Sequence, residues 1–148
     1  MGRKTVYNNL VLPEIYAQVS EDNKNILNEF IVYLMSTDKS PLTIKAYTGD
    51  IKYFLVWNLQ KNNNKFFVDL IKRDILKYQN YLLNELKLSS NRIRSLKSAI
   101  SSMSIFIESM MDDLYPDFKN IINKIPAPVK QNSREKTRQH LKGKKSCF

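Results

Sequence analysis

The sequence is short of the residues that punctuate a chain. Three glycines and five prolines in 148 residues leave long uninterrupted segments, which favour helices over many short strands. The one cysteine, Cys147, stands beside the C-terminus, so no disulfide framework or metal-ligand cluster can form within the chain. No apolar run reaches membrane-spanning length, and MGRKTVYNNL lacks the apolar core of a signal peptide. Position 6 is valine, where a myristoylation signal has serine or threonine. These absences predict a reducing, cytoplasmic setting with no metal and no other cofactor. There is also no glycine-rich phosphate loop and no paired acid/base constellation at informative spacing. A stand-alone enzyme with a small-molecule substrate is therefore the least favoured class.

What the sequence does have is apolar content and positive charge. With 43% hydrophobic and 11% aromatic residues, a chain of this length can bury one modest core. A net charge of +10 and a pI near 9.7 point to a polyanionic partner. The charge is uneven. Residues 130–148 carry seven bases and one acid, Glu135, leaving +4 on residues 1–129. A nucleic-acid reading of the body therefore depends on where its charges sit.

Residues 1–19 show no clear period and read as an arm. Val11, Leu12, Ile15 and Tyr16 are able to dock, and Pro13 interrupts any early helix. A first helix is expected after Ser20, with Glu21 and Asp22 in the favoured acidic first turn and Leu27, Phe30, Ile31 and Leu34 inward, ending near 36–39. Ser40-Pro41 is a cap followed by proline at the first helical position. It starts a second helix with Ile44, Tyr47, Ile51, Phe54, Leu55 and Asn58 on one side and Lys45, Gly49 and Lys52 roughly opposite. Gly49 is either tolerated there, the favoured reading, or admits another backbone. Residues 60–65 make a polar loop. A third helix is expected over about 72–86, with Ile75, Tyr78, Leu82 and Leu86 inward, and a short last one over 117–124. IPAPVKQNSREKT is an extended linker. The predicted organisation is an arm (1–19), a helical domain (20–128), and a linker stub with a basic tail (129–148).

The most organised stretch runs from Leu88 to Asp113. Ile93, Leu96, Ile100, Met103, Ile107 and Met110 keep helical spacing, and Ser89 or Ser90 can cap the start. Arg94, Ser98 and Ser101 fall opposite the apolar stripe, with Lys97 on its flank. Arg92, Arg94 and Lys97 crowd the start, while Glu108, Asp112 and Asp113 crowd the end. That order opposes the helix dipole, which favours the reverse by about 0.3–1 kcal/mol per charge. A basic helix start is also a place to hold phosphate. From this helix alone two readings stand level: a solvated face with unoptimised charges, or a face presented to nucleic acid.

The order of three segments carries a resemblance. Ser40, Thr43, Tyr47, Asp50, Ile51 and Phe54 fit a Ser-x-x-Thr-x-x-x-Tyr-x-x-Asp-Ile-x-x-Phe pattern. Asp74, Ile75 and Tyr78 fit a second segment. Ile93, Arg94, Leu96, Ser98, Ala99 and Ile100 fit a third, and the PAP linker follows. Over about residues 20–128 the chain resembles the N-terminal, SAM-like core-binding domain of tyrosine recombinases, the phage-integrase family. The resemblance implies an all-α bundle of four to five helices forming half of a C-shaped clamp on double-stranded DNA in integration and recombination. It places two helices against the DNA, commonly along the major groove, and by matched position these start at Pro41 and Ser90. The DNA-binding candidates are then Thr43, Lys45 and Lys52 from the first. From the second they are Arg92, Arg94, Lys97, Ser98 and Ser101. Tyr47 is a weaker candidate. Lysines mainly position a protein on phosphates, whereas Arg94 is the candidate for a guanine edge, worth roughly 1–3 kcal/mol of discrimination.

The family's catalytic arginine, lysine, His-x-x-Arg pair and nucleophilic tyrosine belong to a domain after the linker. Here His140 is the only histidine and is followed by Leu141-Lys142-Gly143, and every tyrosine lies at or before Tyr115. No catalytic residue is carried over. The expectation is a recombinase DNA-binding domain without its catalytic half: a cut fragment, a natural short competitor, or, as the abrupt loss of pattern in RQHLKGKKSCF favours, a truncated reading frame. Such a chain is expected to be monomeric in free solution and to assemble with recombinase protomers on DNA. Two rivals remain, a helical DNA-binding regulator and a protein–protein interaction bundle with a basic tail.

Overall fold

The computed structural model describes residues 11–128, and no strand occurs among them. The helices are α1 (Pro13–Tyr16), α2 (Glu21–Met35), α3 (Pro41–Lys61), α4 (Lys72–Asn80) and α5 (Ser90–Met110). The chain makes an all-α bundle. Side-chain caps start the three long helices where serine precedes them. Ser20, Ser40 and Ser89 accept from the N–H groups of Asn23, Thr43 and Arg92, each satisfying a first-turn donor that has no partner inside the helix.

α3 is the centre of the bundle. It packs against α1, α2 and α5, and the run Tyr53-Phe54-Leu55-Val56-Trp57 is buried all round. The one-sided face read from the period therefore holds only for the first half of this helix. A helix apolar on every side must be covered on every side. Phe54 sits edge-on to Tyr78 at 4.8 Å and to Phe67 at 5.9 Å, which joins α3 to α4 and to the 3-10 turn Phe67–Asp69. Ile93, Leu96, Ala99, Ile100, Met103 and Ile107 of α5 close the same core.

Four expectations need correction. Pro13 does not interrupt the arm's helix but starts it, since its missing N–H is not needed in a first turn. The third helix widens into a π-turn over Tyr81–Glu85. Met110 is 57% exposed, and its neighbour Met111 is buried instead. No helix forms over 117–124, where only the turn Ile122–Lys124 is helical. Asn120 explains the last. Its Oδ1 accepts from the Ile122 N–H, its Nδ2 donates to Ser101 Oγ, and its own N–H donates to Glu108. Such local side-chain bonds offer the backbone an alternative to a helix. The segment 118–128 instead lies as a strap along α5 and α4.

Asp74 fastens the start of α4. Its carboxylate accepts from the Ile71 N–H at 2.9 Å and from Lys65 Nζ at 2.8 Å. Burial alone would push this carboxyl up, but the hydrogen bonds and the Lys65 charge outweigh it and hold it below its ordinary value. A group depressed on folding stabilises above its unfolded value, and that contribution is lost as pH falls through the folded one. Asp74→Asn is therefore expected to be less stable than the natural chain at pH 7, with the deficit shrinking below about pH 4. Urea midpoints across that range test this, and a deficit that does not change with pH would refute it.

Candidate nucleic-acid interface

The first halves of α3 and α5 are built to lie together. Arg92 sits in the first turn of α5, where the Ser89 cap fixes its backbone. It reaches Asp50 in the middle of α3, with Nη2 to Oδ1 at 2.7 Å and Nη1 to Oδ2 at 3.4 Å. Two-point pairing of this kind fixes orientation as well as distance. Beside it opens a groove of about 520 Å³, whose walls include Val11, Leu42, Lys45, Gly49 and Arg92. A Cβ built on Gly49 would meet nothing within 4 Å, so no backbone of another described segment packs on it.

Six of the eight sequence candidates fall on two grooves rather than one face, Lys45 and Arg92 on this one and Arg94, Lys97, Ser98 and Ser101 on another, while Thr43 and Lys52 line neither. Lys45 is exposed on the α3 side. Thr43 is half-buried, and its hydroxyl joins the Ser40 cap at 3.0 Å. Lys52 is half-buried with its ammonium 4.9 Å from the centre of the Tyr16 ring, a contact worth about 0.5–1 kcal/mol. Burial and the nearby Glu21 push the Tyr16 hydroxyl up to about 12, so that ring stays a neutral phenol. On the other side of α5, Arg94 donates to the Pro128 carbonyl at 2.9 Å. Ser98 is exposed, and Ser101 accepts from Asn120. Lys97 is only 6% exposed. Its ammonium donates to Gln79 Oε1 at 2.7 Å and to the Ile125 carbonyl at 2.9 Å. Burial, and then the charge of Arg94, lower its pKa.

Charge is lopsided on these two helix segments. Pro41–Tyr53 and Ser90–Ile107 together hold Lys45, Lys52, Arg92, Arg94 and Lys97 against the single carboxylate Asp50, which Arg92 neutralises. Ser95 and Ser102 share the outer side of α5 with Ser98. Sequence reading passed over both, although their spacing from Ser98 was the available signal. Among the described residues, no group of His, Cys, Asp and Glu could hold a metal ion, and no helix is long and apolar enough to cross a membrane.

The class of the chain, a recombinase-family domain, is shown by its sequence rather than by the bundle alone. Residues 26–117 match the phage integrase N-terminal SAM-like domain, and the chain belongs to that family. It is also similar to the SPbeta prophage-derived recombinase-like protein YomM of Bacillus subtilis. The two are 31% identical over 134 residues, an alignment covering 86% of this chain and 39% of that protein. The chain thus spans well under half the length of this curated relative. No solved structure matches.

Proposed function

We propose that this chain binds duplex DNA through α3 and α5, as half of the clamp a tyrosine recombinase closes on its site. The observation that carries the proposal is the cationic surface made by the first halves of those helices, with its only carboxylate already paired. Lys45 and Arg92 line the first groove, where phosphates are the natural ligands. Arg94 and Ser98 stand on the far side of α5 as candidates for further contacts. Lys97 acts mainly by holding the strap, and Thr43 mainly by supporting the Ser40 cap of α3. We assign no catalytic role to any residue. On this reading strand exchange is carried by parts of a recombinase outside the matched residues, and other recombinase protomers join on the DNA.

An NMR titration with a short duplex at low and moderate salt tests the proposal. Shifts are expected at Lys45, Arg92, Arg94 and Ser98, fading as salt rises. Shifts confined to residues 130–148 would refute it. Gly49→Ala sharpens the test. The added methyl meets nothing within 4 Å and is expected to stabilise α3 by up to about 1 kcal/mol. Duplex affinity is expected to fall if DNA backbone passes over this position. A variant that is more stable and binds equally well would exclude close approach at Gly49.

A further inference from the structure

We propose that the cavity between α5 and the strap is a binding site for a phosphate oxyanion, free or on a nucleic-acid backbone. The backbone source rests on the reading above; the chemistry of the cavity does not. The cavity has a volume of about 410 Å³. Arg94, Lys97, Ser98 and Ser101 line it from α5, Asn123 lines it from the strap, and no lining residue is acidic.

Lys97 supplies the main argument. It is a buried cation, and both groups that accept its hydrogen bonds are neutral, the Gln79 amide and the Ile125 carbonyl. An ammonium has three N–H donors, so one remains. No carboxylate lies within ion-pair distance of it among the described residues. A second cation, Arg94, lines the same cavity and spends one donor on Pro128, leaving further guanidinium N–H groups. Buried charge is costly unless it is paired, and an anion here would face both cations at once. The hydroxyls fit this chemistry. That of Ser98 makes no hydrogen bond among the described residues, and Ser101 Oγ accepts from Asn120 with its own proton left to give. Donors from two walls suit a tetrahedral oxyanion, which offers acceptors in several directions.

An anion touching both walls would also tie the strap to α5. Side-chain bonds already run that way from Lys97 to Ile125, from Arg94 to Pro128 and from Asn120 to Ser101, and Gln79 of α4 holds Pro126. Occupancy would therefore strengthen strap docking, because a ligand that binds only the docked form stabilises it.

The test is an NMR titration of the full chain with inorganic phosphate against chloride at matched ionic strength. Saturable shifts are expected at Ser98, Ser101, Asn123 and Ala127. Lys97→Met should weaken the apparent affinity about tenfold or more, as loss of a charged hydrogen bond does. Because Lys97 is buried and also holds Ile125, the exposed Asn123→Ala is a second variant, with a smaller loss expected. The proposal is overturned if phosphate gives no saturable shift, or if neither variant weakens it. A short duplex in place of phosphate separates the sources. The same strap shifts would identify a backbone phosphate, while strap shifts with phosphate alone would identify the free ion. Duplex shifts at Lys45 and Arg92, with no response to phosphate, would leave the DNA reading standing and remove this site. A response to phosphate with none to duplex would do the reverse.

Discussion

Replacing Asn23 by leucine is expected to lower stability by about 2–4 kcal/mol. The side chain is fully buried, and leucine has a similar size, so the loss would come from hydrogen bonds rather than from a void. Asn23 Oδ1 accepts from the Phe67 N–H at 2.7 Å, and its Nδ2 donates to the Lys65 carbonyl at 2.8 Å. Lys65 keeps a second donor in Asn58 Nδ2, but the Phe67 N–H, in the buried 3-10 turn, would have none. A buried donor left without a partner costs the full desolvation penalty of that group. The same amide ties α2 to the loop after α3, whose Asn63 and Asn64 take the left-handed conformation that asparagine tolerates. For a domain whose total stability is about 5–15 kcal/mol, this is a large share. Denaturant midpoints measure it. A loss below about 1 kcal/mol would show that the loop rearranges to satisfy Phe67 by other means.

Asn23 also marks where sequence reasoning stops. Local rules found the cap at Ser40, the helix start after Ser20 and a cap at Ser89 or Ser90, because donor and acceptor lie within one turn. They found the apolar stripe of α5, because a period of 3.6 is visible in the chain. They had no access to Asn23, whose partners lie 42 and 44 residues away. Residues 60–65 read only as polar, although Lys65 receives two buried amides. Lys97 was rightly placed on the flank of α5, but a helical wheel cannot show that the strap lies across that flank. The all-round burial of Tyr53–Trp57 was legible as an unbroken apolar run, yet the period drew attention to one side. Most of the motif residues that carried the resemblance prove to serve the fold. Ser40 caps α3, Asp74 fastens α4, Tyr78 fills the core, and Asp50 joins α3 to α5. The candidate contacts are harder to see in sequence, because a contact to an outside partner leaves no packing signature.

Lys45→Glu is expected to weaken duplex binding about tenfold at low salt and to reduce the salt slope by about one phosphate contact. Its stability should change by no more than about 0.5 kcal/mol, since Lys45 is exposed and makes no ion pair among the described residues. The comparison that matters is Lys72→Glu. Lys72 is exposed at the start of α4, outside both grooves, and its reversal changes net charge by the same amount. The segment 130–148 carries +6 of the chain's +10, so the full chain should hold DNA without sequence preference whatever the bundle does. Against that background a single reversal is informative only by position. A tenfold loss from Lys45→Glu with little loss from Lys72→Glu would locate the backbone on α3. Equal losses would mean that total charge governs binding. The groove between α3 and α5, walled by Leu42 and Val11 as much as by Lys45, would then be the seat of a protein partner rather than of DNA.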